Sequence, residues 1–145
     1  MITTTNELGP VDALFLSQGL EMGNEPVERN VQKIWTAKKD GQLIGAATLG
    51  LREGHWVVDG IAVLPEHRTK GLGSQLLDHV LEEAKRRGVD TIWLVAKSPV
   101  FFEKEGFTYT DAEHAPAVFG CSDCDIRDID CHPRWMQKSL TSDKE

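Results

Sequence analysis

The sequence predicts an α/β domain of the α+β kind, and three observations carry that expectation. Extended apolar runs fill residues 34 to 64 and are cut by Asp40-Gly41 and by Arg52-Glu53-Gly54. A strongly amphipathic helix follows, ending near Arg87. Shorter strand-like runs, Thr91 to Ala96 and Phe107 to Thr110, come after it, so strands and helices are expected to share one core.

The first thirty residues are ambiguous. Val11 to Leu20 has helix-like spacing at Val11, Leu14 and Phe15 and ends at Gly19 and Gly23, but a full first strand is hard to find. From Ile34 to Leu51 the pattern is clearer. Asp-Gly between two extended runs favours a type I′ hairpin, and a second turn at residues 52–54 leads into His55 to Leu64. These runs make an antiparallel three-strand meander that stops at Pro65. In the next helix Leu72, Leu76, Leu77, Val80, Leu81 and Ala84 share one face. Glu82–Arg86 and Glu83–Arg87 are i,i+4 pairs with the acidic member first, Lys85 to Arg87 suit the C-terminal dipole, and Gly88 supplies the stop. Thr91 to Ala96 reads as a short buried strand, Pro99 opens a brief helix through Lys104, and a last strand lies near Arg134 to Leu140.

Composition narrows the partners. Residues 1–145 read as one domain, with 111–132 a long cysteine-containing loop. The formal charge is 16 − 23 = −7, which disfavours nucleic acid and anionic membrane surfaces. No apolar run approaches the ~20 residues of a membrane span. Met1 to Asn6 lacks the basic and apolar parts of a secretory signal, so a cytoplasmic location is expected. All three cysteines fall between positions 121 and 131, an odd count for a secreted disulfide framework.

The chemistry concentrates in Arg68-Thr69-Lys70-Gly71-Leu72-Gly73, at the strand-to-helix junction. The first turn of a helix carries unpaired N–H donors and the positive end of the macrodipole, which together favour a phosphate. Glycines permit close backbone approach, and Arg68 and Lys70 add charge-assisted contacts. The third glycine of a dinucleotide-binding turn is replaced by Leu76, and no Walker A loop is present.

R-x-x-G-x-G, preceded by Ile61-Ala-Val-Leu-Pro65 and followed by Ser74-Gln-Leu-Leu77, resembles the acetyl-CoA pyrophosphate loop of the GCN5-related N-acetyltransferases (GNAT). The likeness covers about Ile34 to Thr110 well. It implies the GNAT fold: a mixed, mostly antiparallel central sheet flanked by helices and splayed between the strand ending near Leu64 and the strand Thr91 to Ala96. Acetyl-CoA would lie in that gap as co-substrate. Ile61, Ala62 and Val63 would hold pantetheine and thioester, and Arg68, Thr69, Lys70, Gly71, Leu72, Gly73 and Ser74 the pyrophosphate.

The reaction implied is direct attack of an amine on the thioester in a ternary complex, with a small-molecule amine as acceptor. Asp59 is the first candidate base. Strand alternation would put it beside Val57, Ile61 and Val63. A carboxylate of ordinary acidity is a feeble base, so a water relay is the expected route, and a structural carboxylate is the bland alternative. Glu53, His55 and His67 are weaker candidates. Ser98-Pro-Val-Phe-Phe-Glu-Lys-Glu-Gly-Phe107 resembles the second recognisable GNAT segment, with Phe102 where a tyrosine that protonates the thiolate is usual; Phe101 and Phe102 read as core and pantetheine packing. Tyr109, the only tyrosine of the chain, is seven residues on. The four tryptophans read as core or sheet packing.

Cys121-Ser-Asp-Cys124 and Cys131-His132 offer four soft ligands for structural zinc. Adjacent Cys131 and His132 do not readily face one metal, so packing cysteines, reduced or disulfide-linked, rank ahead. Ser98 to Phe107, then Cys121, Cys124, Cys131 and Met136, also resemble the N-acetylglutamate synthase-like amino-acid N-acetyltransferases, which implies a small amino acid as acceptor. Arg52 or Lys97 would suit its carboxylate. Acetylation of a protein or peptide amine, and a CoA-binding module without turnover, are the rival readings. By analogy with similar folds, a homodimer is the expected assembly.

Overall fold

A computed structural model of the chain describes residues 2–18, 30–96, 99–110 and 134–140. In chain order the elements are β1 (Ile2–Thr5), α1 (Leu8–Ser17), β2 (Val31–Lys39), β3 (Gln42–Arg52), β4 (His55–Val63), a 3-10 turn (Pro65–Lys70), α2 (Leu72–Arg86), β5 (Thr91–Ala96), α3 (Pro99–Lys104), β6 (Thr108–Thr110) and β7 (Arg134–Ser139). The strands form one seven-stranded sheet in the order β1-β2-β3-β4-β5-β7-β6. Every neighbouring pair is antiparallel except β4 with β5. The α/β class and the mostly antiparallel sheet expected from the sequence are therefore what the chain forms.

Both hairpin turns obey their sequence. Asp40 and Gly41 have φ of 53° and 80°, and Glu53 and Gly54 have 49° and 85°. Two successive positive φ values are what a type I′ turn requires, and its twist matches that of the strands it joins. Arg52 is still part of β3, paired with His55, so the second turn is tighter than residues 52–54 suggested.

Two corrections fall near the N-terminus. A first strand does exist: Ile2–Thr5 pairs with Ile34 to Ala37 of β2. Its run of β-branched residues suits a strand, but four residues with a single large apolar one leave no periodicity to read. The helix α1 begins at Leu8, ahead of the Val11 expected, because Pro10 is tolerated in a first turn whose N–H groups have no intrahelical acceptor. Gly19 and Gly23 lie outside the described residues.

The sheet is covered on both faces. Against one face α2 places Leu76, Leu77, Val80, Leu81 and Ala84, which meet Trp35, Ala47, Leu49, Val58, Ile92, Leu94 and Met136. Against the other, Val11, Leu14 and Phe15 of α1 meet Ile34, Ala46 and Ala62. Each large side chain so buried stabilises by about 1.5–3 kcal/mol, which exceeds the intrinsic propensity of any short element here. The small residues of β3 matter to this sandwich: a Cβ on Gly45 would meet Leu76 Cδ1 at 3.2 Å and Leu72 Cδ2 at 3.3 Å. A third cluster lies away from α2, where Val57 packs with the half-buried Trp93, Val95 and Trp135.

Candidate functional site

A gap in the sheet begins where β4 leaves β5. These parallel strands share a single register pair, Val57 with Trp93, and β5 is paired on its other side with β7 along its whole length. Beyond that point β4 runs on to Val63 beside β3 alone. A cavity of about 420 Å³ fills the space. Its wall takes residues from both faces of the sheet: Gln18 at the end of α1, and Phe101 and Phe102 of α3. The gap therefore passes through the sheet.

A β-bulge marks the same place. Thr48 pairs with Gly60 and Leu49 with Val58, which leaves Asp59 as the extra residue of β4. The bulge resets which way the strand faces. Val57 lies on the side away from α2, whereas Ile61 and Val63 pack with the α2 core. The expected alternation thus holds for Asp59 and Val57, whose common face is shown by the bonds of Asp59 to Thr48 and Arg52, and fails for Ile61 and Val63.

Backbone direction follows from the ladder. Leu64 N donates to Ile44 O at 2.8 Å, so Leu64 and, by alternation, Ala62 turn their polar groups toward β3. Ile61 and Val63 then turn theirs into the gap. Of the three residues expected to hold pantetheine, two present backbone there. Ala62 lines the cavity but spends its N–H and C=O on β3.

At the far end stands the glycine loop. Gly71 has φ 75° and ψ 10°, a left-handed conformation that turns the chain from the 3-10 segment into α2. Gln75 N is the first to find an intrahelical acceptor, Gly71 O at 3.1 Å. The N–H groups just before it form the unpaired, positive end of the helix, and Gly71, Gly73 and Ser74 line the cavity. Arg68 spans the mouth: its Nε donates to Val63 O and its Nη2 to Gln18 Oε1, each at 2.9 Å. Ser74 Oγ donates to Glu105 Oε2 at 2.7 Å, so a carboxylate sits beside the helix N-terminus. Thr69 and Lys70 belong to the 3-10 turn, and Leu72 packs its side chain into the core.

Asp59 lines the cavity, yet its side chain has no exposed surface. Arg52 Nη2 donates to its Oδ1 at 2.5 Å, and Thr48 Oγ1 lies 3.4 Å from its Oδ2. The Arg52 side chain is itself only 4% exposed. The carboxylate therefore stands behind the wall in a buried ion pair, and direct contact with an acceptor amine is closed to it in this arrangement. Arg52, expected as a carboxylate binder, is occupied by this pair.

Phe102 is a core residue, with Phe101 and Phe107 packed edge-on at 4.9 and 5.6 Å between ring centres, and it brings no hydroxyl to the cavity it lines. Tyr109 lies on the edge strand β6, separated from β5 by β7. Glu53 and His55 sit exposed at the hairpin end, and His67 is on the 3-10 turn; none lines the cavity. Lys97, Cys121, Cys124, Cys131 and His132 lie outside the described residues. Among the described residues no cluster of metal ligands occurs, and no helix is long and apolar enough to cross a membrane. Sequence reasoning missed Gln18, Val58, Gly60, Leu94 and Val95 of the cavity wall and Glu105 beside it; only Glu105, next to the recognised Phe-Phe-Glu-Lys segment, carried a local signal.

A sequence model described as the acetyltransferase (GNAT) family matches residues 11–107. An amino-acid acetyltransferase of Aeromonas salmonicida is 32% identical over 95 residues, 63% of this chain and 22% of that protein. One of Pseudomonas putida is 27% identical over 102 residues, with 65% and 22% covered. The chain thus spans less than a quarter of the length of these relatives. Among solved structures, N-acetylglutamate synthase of Neisseria gonorrhoeae, complexed with coenzyme A and N-acetyl-glutamate, aligns at TM-score 0.69 and 18% identity over 97% of this chain and 35% of that one. The ribosomal-protein-S18-alanine N-acetyltransferase of Escherichia coli aligns at TM-score 0.65 and 18% identity, over 97% and 93%.

Proposed function

Since the chain belongs to the acetyltransferase (GNAT) family, we propose that it transfers the acetyl group of acetyl-CoA to the primary amine of a small amino acid. The observation that carries this reading is the gap itself. Ile61 offers backbone and Val63 its N–H along one edge, the Val63 carbonyl being held by Arg68, and the α2 N-terminus with Arg68 offers a cationic end. Acetyl-CoA fits that order: diphosphate on the helix end, pantetheine along β4, thioester near the bulge. The amino-acid acceptor is supported by the relatives from Aeromonas and Pseudomonas and by the acetylated amino acid bound to the Neisseria enzyme.

In the proposed reaction the neutral amine attacks the thioester carbonyl carbon within a ternary complex. A C–N bond forms, and the oxyanion takes a hydrogen bond from a gap-facing N–H of β4. The carbonyl re-forms as the C–S bond breaks. CoA thiolate leaves and is protonated by water, because Phe102 has no hydroxyl to give. The proton shed by the ammonium also passes to water, with Asp59, behind the wall, as the end of that relay.

Free-thiol release from acetyl-CoA, followed across amino acids, polyamines and peptides, tests this. Release that depends on an amino acid and disappears in Gly71→Glu is expected. Acetyl-CoA binding without release would leave a non-catalytic module. Release with peptides alone would favour a polypeptide acceptor, the reading that the full-length likeness to the Escherichia coli enzyme supports.

A further inference from the structure

We infer that the buried Arg52–Asp59 pair is the latch that holds the gap open for the donor, and that Arg52 is a positioning residue. This rests on acetyl-CoA occupying the gap. Asp59 is the extra residue of the bulge, and it stands two residues beyond Val57, whose register partner in β5 is Trp93. A bulge locally disrupts the regular ladder, and side-chain contacts from the neighbouring strand reinforce the backbone there. Here the carboxylate reaches back along β3 to Arg52, seven residues away in sequence, with side-chain exposures of 4% and 0%.

Thr48 completes the hold, with its hydroxyl 3.4 Å from Asp59 Oδ2 and 3.5 Å from Gly60 O. The bulge then decides which backbone groups face the donor. Without the extra residue the strand past Val58 would be out of step by one. Ile61 and Val63 would turn their polar groups to β3, and Ala62 would face the gap. Arg52 does not line the cavity, so its influence passes through Asp59 to the backbone that does.

The test is a double-substitution cycle read by acetyl-CoA dissociation constant, turnover and thermal midpoint, on Arg52→Lys, Asp59→Asn and the pair together. Each single change is expected to weaken acetyl-CoA binding tenfold or more, and the double to be no worse than the single, since both break one latch. Val80→Ala, in the core away from the cavity, is the control: it lowers the midpoint but leaves acetyl-CoA affinity within twofold. If either single variant fails to fold, Arg52→Met with Asp59→Val removes both charges at once. That variant, if it binds acetyl-CoA like the parent, overturns the latch. So does loss of turnover in Asp59→Asn with unchanged affinity, which would leave Asp59 as a relay residue only, and so does full additivity. Absence of acetyl-CoA binding in the parent would instead remove the premise.

Discussion

Glu83 shows how a single buried carboxylate on α2 is kept. It receives Arg87 Nε at 2.8 Å, Arg86 Nη2 at 2.5 Å and Lys33 Nζ at 3.4 Å, the last from β2. The i,i+4 pair with Arg87 is the one its spacing predicts, whereas Arg86 turns to Glu83 rather than to Glu82. Hydrogen bonds from Arg87 and then Arg86 lower its pKa from 4.5 to about 2, against the opposing effect of burial. A depressed folded-state pKa stabilises above the unfolded value and is lost as pH falls through the folded one. Urea midpoints should therefore drop between pH 4.5 and 2 in the parent, with Glu83 contributing on the order of 1–3 kcal/mol. In Glu83→Gln that part of the drop should be missing. Glu105 gives a second residue-level prediction. Its carboxylate beside the helix N-terminus would face the incoming diphosphate, so Glu105→Gln should tighten acetyl-CoA binding roughly two- to tenfold, a gain that shrinks at high salt. Calorimetric titration in low and high salt checks both points.

At the level of elements, the fit of α1 on β4 is the tightest contact near the site. A Cβ built on Gly60 would fall into the ring of Phe15, which is fully buried. Gly60→Ala should therefore cost about 1–3 kcal/mol in urea unfolding, since overpacking displaces a ring with nowhere to go. Phe15→Leu should restore part of that loss in the double variant; if it does not, the clash is not the cause. Sequence spacing placed Val11, Leu14 and Phe15 on one face of this helix but contained nothing that pointed Phe15 at a glycine three elements further along the chain. The glycine loop is the contrary case. Gly71, Gly73 and Ser74 were legible because a strand end, a turn and a helix start are neighbours in sequence.

For the molecule as a whole, the sheet is nearly two units joined by the Val57–Trp93 pair, with α2 packed across both. Acetyl-CoA bound in the gap would bridge them, so saturating ligand should raise the thermal midpoint; a hundredfold excess over its dissociation constant corresponds to about 2.7 kcal/mol. Hydrogen exchange should resolve the geometry further. The amides of Ile61 and Val63, facing the gap, are expected to exchange faster than that of Ala62 in the free protein and to become protected by acetyl-CoA. Equal protection of all three without ligand would contradict the strand direction described above.

The sequence by itself determined the element types from β2 onward, the type I′ turn at Asp40-Gly41, the helix face of α2, the glycine loop and, through that loop, the donor expected. Each is a property of residues close together in the chain, where φ preference, periodicity and helix-end polarity act locally. Tertiary structure alone decided that β7 slots between β5 and β6, that Asp59 bulges out of β4, and that Arg52 and Asp59 neutralise each other behind the cavity wall. Those outcomes depend on strand register. A shift of one residue reverses every side chain at no local cost, so only the packing of both faces selects among the alternatives.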